Sequence, residues 1–457
     1  MVITRRNIIL IWCSCLSCSS SCFCSNFRVQ LFGLVLIVPL LTIALLIIAF
    51  KTMLRLPQYC KSTLIEDTVL QNTSQHPSKH KDDYTPYIIK FDSGKTPITF
   101  KLARNFGFCA GVKNALSLAY AAIEHNCGKR IFLLSEIIHN QIVNRDLTER
   151  GVRFIMDAKG NFLYPLQDIS PQDIVIVPAF GITLELQKQL SDLGIEITKY
   201  DTTCPFVQKV WHCAEKLGNK GYTIIIHGDP HHEETKSTFS RCAKVAPTIV
   251  LANKEAALEL AAHITQETST LETDCSSSLP YSLQKFASAN FDSKHHLNKI
   301  GLVNQTTMLA NTTEEISEIL KEAMLKRYCS NNSKKLSKHF ADTRHTLCYA
   351  TYTNQNSTLA LCRDGNCDIA LIVGGYNSSN TRHLVEIAQK YIITFFIKDS
   401  EEILSANTIR HFDLTTKTVR ETTNWLPKTG SPTIAISAGA SCPDKVIEDV
   451  MTRCATV

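Results

Sequence analysis

From residue 97 onward the chain alternates short apolar runs with stretches whose apolar positions recur at helical spacing. The runs include Ile131–Leu134, Asp173–Val177, Tyr222–Ile226, Thr248–Ala252, Ile300–Val303, Ile369–Val373, Ile393–Ile397 and Thr433–Ser437, with amphipathic stretches such as Val112–His125 and Thr183–Leu193 between them. This alternation predicts an α/β fold with parallel strands. Two stretches break the pattern. Residues 267–298 are rich in Ser, Thr, Asn and His, and residues 330–344 are polar and basic, so both read as surface insertions.

The first 96 residues follow a different pattern. Glu66 is the first acidic residue, and Val29–Phe50 is an uncharged run flanked by Arg28 and Lys51. As a helix that run would reach about 33 Å, against a hydrocarbon core of roughly 30 Å. Three readings stand: a membrane anchor through residues 29–50, part of an organelle presequence, or an extension upstream of a working start at Met53. Residues 66–96 carry no apolar period and read as a linker.

The net charge of +6 over 457 residues is small, and no Arg-rich stripe interleaved with aromatics is present, which speaks against a nucleic-acid partner. Of 18 cysteines, Cys13, Cys15, Cys18, Cys22 and Cys24 fall in the Ser-rich N-terminus. The others lack the short regular spacings of a disulfide scaffold, so the body reads as a protein of a reducing compartment. Cys362 and Cys367 have no second pair to complete a zinc site and read as structural.

The turns that follow the apolar runs carry the candidate chemistry. They hold His139, Phe180, His227 to Glu234, Thr306 and Thr307, Asn377 to Asn380, and Ser441. Open α/β sheets bind ligands at the carboxyl ends of their strands, and small or hydroxyl residues opening a helix offer donors to an anion. Singly, such residues are ordinary helix caps. Cys109, Cys204 and Cys348 sit in three similar turns far apart in sequence. Three converging thiolates suit an iron–sulfur cluster that leaves one iron open for chemistry; taken one at a time each reads better as an ordinary buried core cysteine.

Set side by side, these turns resemble a known family. Gly-Phe-Cys-Ala-Gly-Val at 107–112, Glu-Ile-Ile-His-Asn at 136–140, Asp-Thr-Thr-Cys-Pro at 201–205 and His-Glu-Glu-Thr at 232–235 are followed by Asn-Gln-Thr-Thr at 304–307, Cys-Tyr-Ala-Thr at 348–351, Asn-Ser-Ser-Asn at 377–380 and Ala-Gly-Ala-Ser at 438–441. From about residue 98 to the end the chain is similar to the 4-hydroxy-3-methylbut-2-enyl diphosphate (HMBPP) reductases, in their plant and cyanobacterial-like branch.

The resemblance implies three α/β units in a pseudo-threefold arrangement around a central [4Fe–4S] cluster, one per chain. The units would run over 110–203, 204–347 and 348–457, with 97–109 packing against the third. Cys109, Cys204 and Cys348 would hold the cluster. Glu234 would supply a proton, with Thr306 orienting it. His139, His232, Thr307, Ser378, Asn380 and Ser441 would face the diphosphate of the small-molecule substrate, the histidines as cations, while Asn377 and Ser379 shape their turn. Ferredoxin or flavodoxin would feed the cluster, in cytoplasm or plastid stroma. One departure stands out: many bacterial members place a histidine where this chain has Phe180, and His227 is a candidate substitute donor. The rival readings are an open-iron hydro-lyase, which should show Arg forks for a carboxylate, and a catalytically degenerate membrane-anchored cluster protein.

Overall fold

Five consecutive residues of β6 (Thr223–His227) are buried, because the strand is covered on both faces, as central strands of parallel sheets are. It pairs in parallel with β7 (Thr248–Leu251) and β8 (Ile300–Asn304), and β8 pairs with the short β9 (Phe340–Asp342). A second parallel sheet has β3 (Ile131–Leu133) between β4 (Val152–Phe154) and β5 (Ile174–Ile176). The third has the order β1-β2-β14-β10-β11, formed by Tyr87–Phe91, Ile98–Leu102, Thr433–Ala438, Ile369–Val373 and Thr394–Ile397. All its pairs are parallel except β1 with β2. A hairpin of the half-buried β12 (Thr408–Asp413) with the exposed β13 (Thr418–Thr423) completes the strands among the described residues. This computed structural model describes residues 57, 60–67, 84–91, 97–266, 279–329, 333–342, 346–427 and 430–457.

Each apolar run named above overlaps one of these strands, and three of the strands, β6, β8 and β14, run one residue further. The aliphatic residues of the strands and the inward faces of the helices build the cores; Phe100, Leu102, Ile436 and Ile447 share one, and Ile225, Leu302, Ile316 and Leu320 another. The helices that begin at Ala110, Pro205, Glu233, Tyr349 and Ser379 bring residues at their N-termini to one cavity, described below.

Three expectations need correction. The linker assigned to 66–96 contains β1, whose Tyr87 and Ile89 join Ile65 in the core of the third sheet. The insertion expected over 267–298 is packed from 279 onward: it forms the short helices Tyr281–Gln284 and Ser293–His296 and buries Leu279, Leu283, Phe291 and Leu297. In 330–344, Phe340 enters the same core from β9. These segments were misread because a few apolar anchors spaced through polar sequence are enough to tie a loop down. Val29–Phe50 lies outside the described residues; among those described, no helix is long and apolar enough to cross a membrane.

Candidate active site

Three helices begin at the three cysteines. Cys109 caps Ala110–His125, and its sulfur accepts the Val112 N–H at 3.4 Å. Cys204 precedes Pro205–Gly218, where proline at the first helical position is pre-set for the turn. Cys348 precedes Tyr349–Arg363. All three thiols line one cavity. A Cβ placed on Gly111 would lie 2.7 Å from the Cys204 sulfur and 3.8 Å from that of Cys109, so only glycine leaves this space open. Burial pushes the thiol pKa of all three upward, that of Cys204 to about 11, with Cys109 and Cys348 nearby adding to the rise. Thiols of this kind lose their protons when a metal centre binds them. Among the described residues no group of His, Cys, Asp or Glu closes tightly enough for a single metal ion. The donor set and the open space beside Gly111 fit a larger, sulfur-ligated cluster.

Across the cavity, Glu234 opens the helix Glu233–Val245. It is 2% exposed, and its carboxylate accepts the Thr306 backbone N–H at 2.6 Å and the Thr306 hydroxyl at 2.9 Å. Burial outweighs these bonds and the nearby His139, and raises the Glu234 pKa to about 7. The group therefore holds a proton near neutrality, which an ordinary carboxylate does not.

His232 caps the same helix: its Nδ1 accepts the Glu234 N–H at 3.1 Å. The ring proton then sits on Nε2. Burial, followed by the charge of His139, lowers the His232 pKa well below its usual value. This corrects the cationic reading of His232; it is a neutral donor in the free protein. His139 also lines the cavity, with its ring stacked on Phe180 at 4.4 Å between centroids and 23° between planes. His232 meets both rings edge-on, at 5.2 Å and 5.3 Å. Phe180 thus packs the two imidazoles and donates to neither.

His227 does not substitute for the missing donor. It is fully buried on β6, away from the cavity lining, with Nδ1 3.0 Å from the Thr313 hydroxyl. Burial lowers its pKa to about 4.

The third sheet contributes the hydroxyl and amide groups. Ser378 caps the helix Ser379–Ala388, and Ser441 lies 3.4 Å from it. Thr307 donates to Ser379 at 3.2 Å, joining the turns after β8 and β10. Asn380 is buried in the lining, and neither its amide nitrogen nor its carbonyl oxygen has a partner. Buried amides are nearly always paired, so this one is set for a ligand. Asn377 is absent from the lining; its amide donates instead to Glu136 at 2.8 Å. Glu136 and Gln305 were not singled out from sequence. Gln305 donates to Thr307 at 2.8 Å and accepts from Thr235 at 3.1 Å. Both lie inside the motifs quoted above, which is the only signal that could have found them.

The cavity therefore has a thiol floor, one proton-bearing carboxyl and a wall of neutral donors with an unpaired amide. Comparison with known proteins agrees with this chemistry. The profile of the family described as LytB protein matches residues 100–455. The 4-hydroxy-3-methylbut-2-enyl diphosphate reductase of Trichormus variabilis is 38% identical over 360 residues, covering 78% of this chain and 84% of the relative. That of a Synechococcus strain is 39% identical over 357 residues, covering 78% and 85%. A solved structure of E-1-hydroxy-2-methyl-but-2-enyl-4-diphosphate reductase from Plasmodium falciparum shares the fold, with TM-score 0.54 and 20% identity over 77% of this chain and 86% of that one. The chain belongs to the LytB family of 4-hydroxy-3-methylbut-2-enyl diphosphate reductases.

Proposed function

We propose that this chain converts (E)-4-hydroxy-3-methylbut-2-enyl diphosphate to isopentenyl and dimethylallyl diphosphate, the last step of the non-mevalonate isoprenoid pathway. Two electrons and two protons enter; the allylic C–O bond breaks, a C–H bond forms, and the hydroxyl leaves as water. The observation that carries this reading is the buried, Thr306-held Glu234 lining the same cavity as three convergent thiols.

Cys109, Cys204 and Cys348 would hold one [4Fe–4S] cluster. When bound, it supplies the electrons and an iron free to take the substrate hydroxyl. The chain's own residues do the rest. His232 donates from Nε2 to the diphosphate, and His139, Ser378, Ser379, Asn380, Ser441 and Thr307 surround the same end of the cavity. Asn380 gains the partner it lacks. Glu234 holds a proton within reach of the Thr306 hydroxyl, which accepts or passes it as the hydroxyl leaves. Phe180, Ile138, Ala179 and Val207 line the cavity with apolar surface, which excludes water from the reacting carbons.

We further propose a one-electron donor protein, ferredoxin or flavodoxin, and a reducing compartment, cytoplasm or plastid stroma. Residues 29–50 are a candidate membrane attachment, tested by fractionating the full-length chain against one starting at Leu56. The test of the whole reading is turnover of HMBPP by anaerobically purified protein with a chemical reductant. A brown protein whose electron paramagnetic resonance changes on adding HMBPP is expected. A cluster-loaded protein that neither perturbs this signal nor consumes HMBPP would refute it.

A further inference from the structure

Glu136 reaches His139 from behind the cavity. Its Oε2 lies 2.9 Å from His139 Nδ1 and accepts the Asn377 amide at 2.8 Å. The Asn377 amide nitrogen is also 3.3 Å from Nδ1 but donates to Glu136 at the shorter 2.8 Å; a bare ring nitrogen 2.9 Å from a carboxylate oxygen would repel it, so Nδ1 carries the proton and donates to Glu136. Asn377 comes from the turn after β10, 241 residues away, so the third sheet pins a carboxylate of the second. The His139 backbone is fixed as well: Ser441 donates to its carbonyl at 3.3 Å, and Gly375 approaches the same carbonyl so closely that no side chain would fit. With Phe180 stacked on the ring face, the imidazole is left one free atom, Nε2.

We infer that Glu136 is a positioning residue for diphosphate recognition: it anchors Nδ1 so that His139 presents Nε2 to the ligand, with Asn377 locking the carboxylate in place. This deepens the proposed function and rests on it. Other ionisable groups near His139 are Glu233 and Glu234 at the start of the helix Glu233–Val245 and His232 at its cap. None of these has the hydrogen-bond contact to Nδ1 that Glu136 has. The arrangement also accounts for Phe180. With Phe180 standing where a further hydrogen-bonding ring could be, the site relies on the orientation of His139 and His232, the two imidazoles of the lining.

The test uses inorganic pyrophosphate as the probe, titrated calorimetrically into cluster-loaded, full-length protein. Glu136→Gln keeps the shape and should weaken pyrophosphate binding by on the order of tenfold, as loss of a charge-assisted hydrogen bond does. The cluster absorbance should stay unchanged, and KM for HMBPP should rise more than kcat falls. Asn377→Ala should act in the same direction and more weakly. The decisive measurement repeats Glu136→Gln in a His139→Asn background, where it should cost less than about twofold because its route of action is gone. A larger loss in that background, or less than about threefold in the parent, overturns the inference. Failure of the parent to turn over HMBPP while it binds pyrophosphate would instead count against the proposed function and leave the coupling between Glu136 and His139 measurable.

Discussion

Glu234 and Thr306 are 72 residues apart and joined twice: the Thr306 N–H and hydroxyl both donate to the carboxylate, at 2.6 Å and 2.9 Å. Two donors normally draw a carboxyl pKa down. Here burial wins, and the group stays protonated to about pH 7. The Thr306 bonds therefore fix the acid in place and burial keeps it loaded.

This balance makes activity depend on pH in a definite direction. The acid form is the working form, so kcat should fall as pH rises through about 7. Glu234→Gln should lose that limb, with turnover down by on the order of 10²–10⁴ and pyrophosphate still bound. Stability follows the same sign. A carboxyl whose pKa is higher when folded binds its proton more tightly in the folded state, so stability falls as pH rises from the ordinary 4.5 toward about 7. The Tm of Glu234→Gln relative to the parent should therefore improve as pH rises from 4.5 to about 7 and level off above it. A parent and variant with the same pH profile would remove Glu234 from the mechanism.

Replacing Cys109, Cys204 or Cys348 by Ser should abolish or sharply reduce the iron–sulfur absorbance, because the soft thiolate is lost. Cys242 and Cys442 serve as contrast. Both are buried in cores and neither lines the cavity, although Cys442 directly follows Ser441, so Ser there buries a hydroxyl and should lower Tm while the absorbance persists. Normal iron and sulfide content in Cys204→Ser would show that the assignment is wrong.

The parts of the fold legible in the sequence are those where one signal sufficed. Ile369–Val373 and Ile300–Asn304 are unbroken apolar strands, and each cysteine turn leads into a helix. The edges were not legible. The hairpin Thr408–Asp413 with Thr418–Thr423 is mostly polar, with Ile409 its one buried residue, and it turns with Lys417 at φ 55° rather than through a glycine. Its loop therefore lacks the usual composition signal. Glu136 escaped notice because an acid in a turn reads as solvated; its meaning depends on Asn377, a contact that only the fold creates. The neutral state of His232 likewise comes from burial, which residue type alone does not reveal.

Gly111 tests the cradle from the other side. Its Cβ position lies 2.7 Å from the Cys204 sulfur, well inside contact distance. Alanine is the better helix former, so on local grounds Gly111→Ala should stabilise Ala110–His125. We expect the opposite balance for function: Cys204 is displaced, and iron and sulfide incorporation falls while Tm holds or rises. Full cluster content in Gly111→Ala would mean that the thiols have more room than the geometry allows.

The N-terminal boundary of the working unit follows from β1. Tyr87 packs edge-on to Phe106 at 6.5 Å, and the Arg104 guanidinium sits 4.7 Å over its ring. Both partners belong to the segment leading into Cys109. Tyr84 accepts the Asn356 amide at 3.2 Å, on the helix that begins after Cys348. Ile65 and Ile89 add core burial, each worth roughly 1.5–3 kcal/mol. A chain starting at Asp92 loses all of this, although β2 keeps its pairing with β14. It should melt several degrees lower than a chain starting at Leu56 and take up less cluster, because two of the three cysteine-bearing segments have lost a support. The chain from Leu56 should match the full-length protein in Tm, iron content and HMBPP turnover. Equal melting temperatures and equal iron content for the Leu56 and Asp92 chains would show that residues before 92 are dispensable after all.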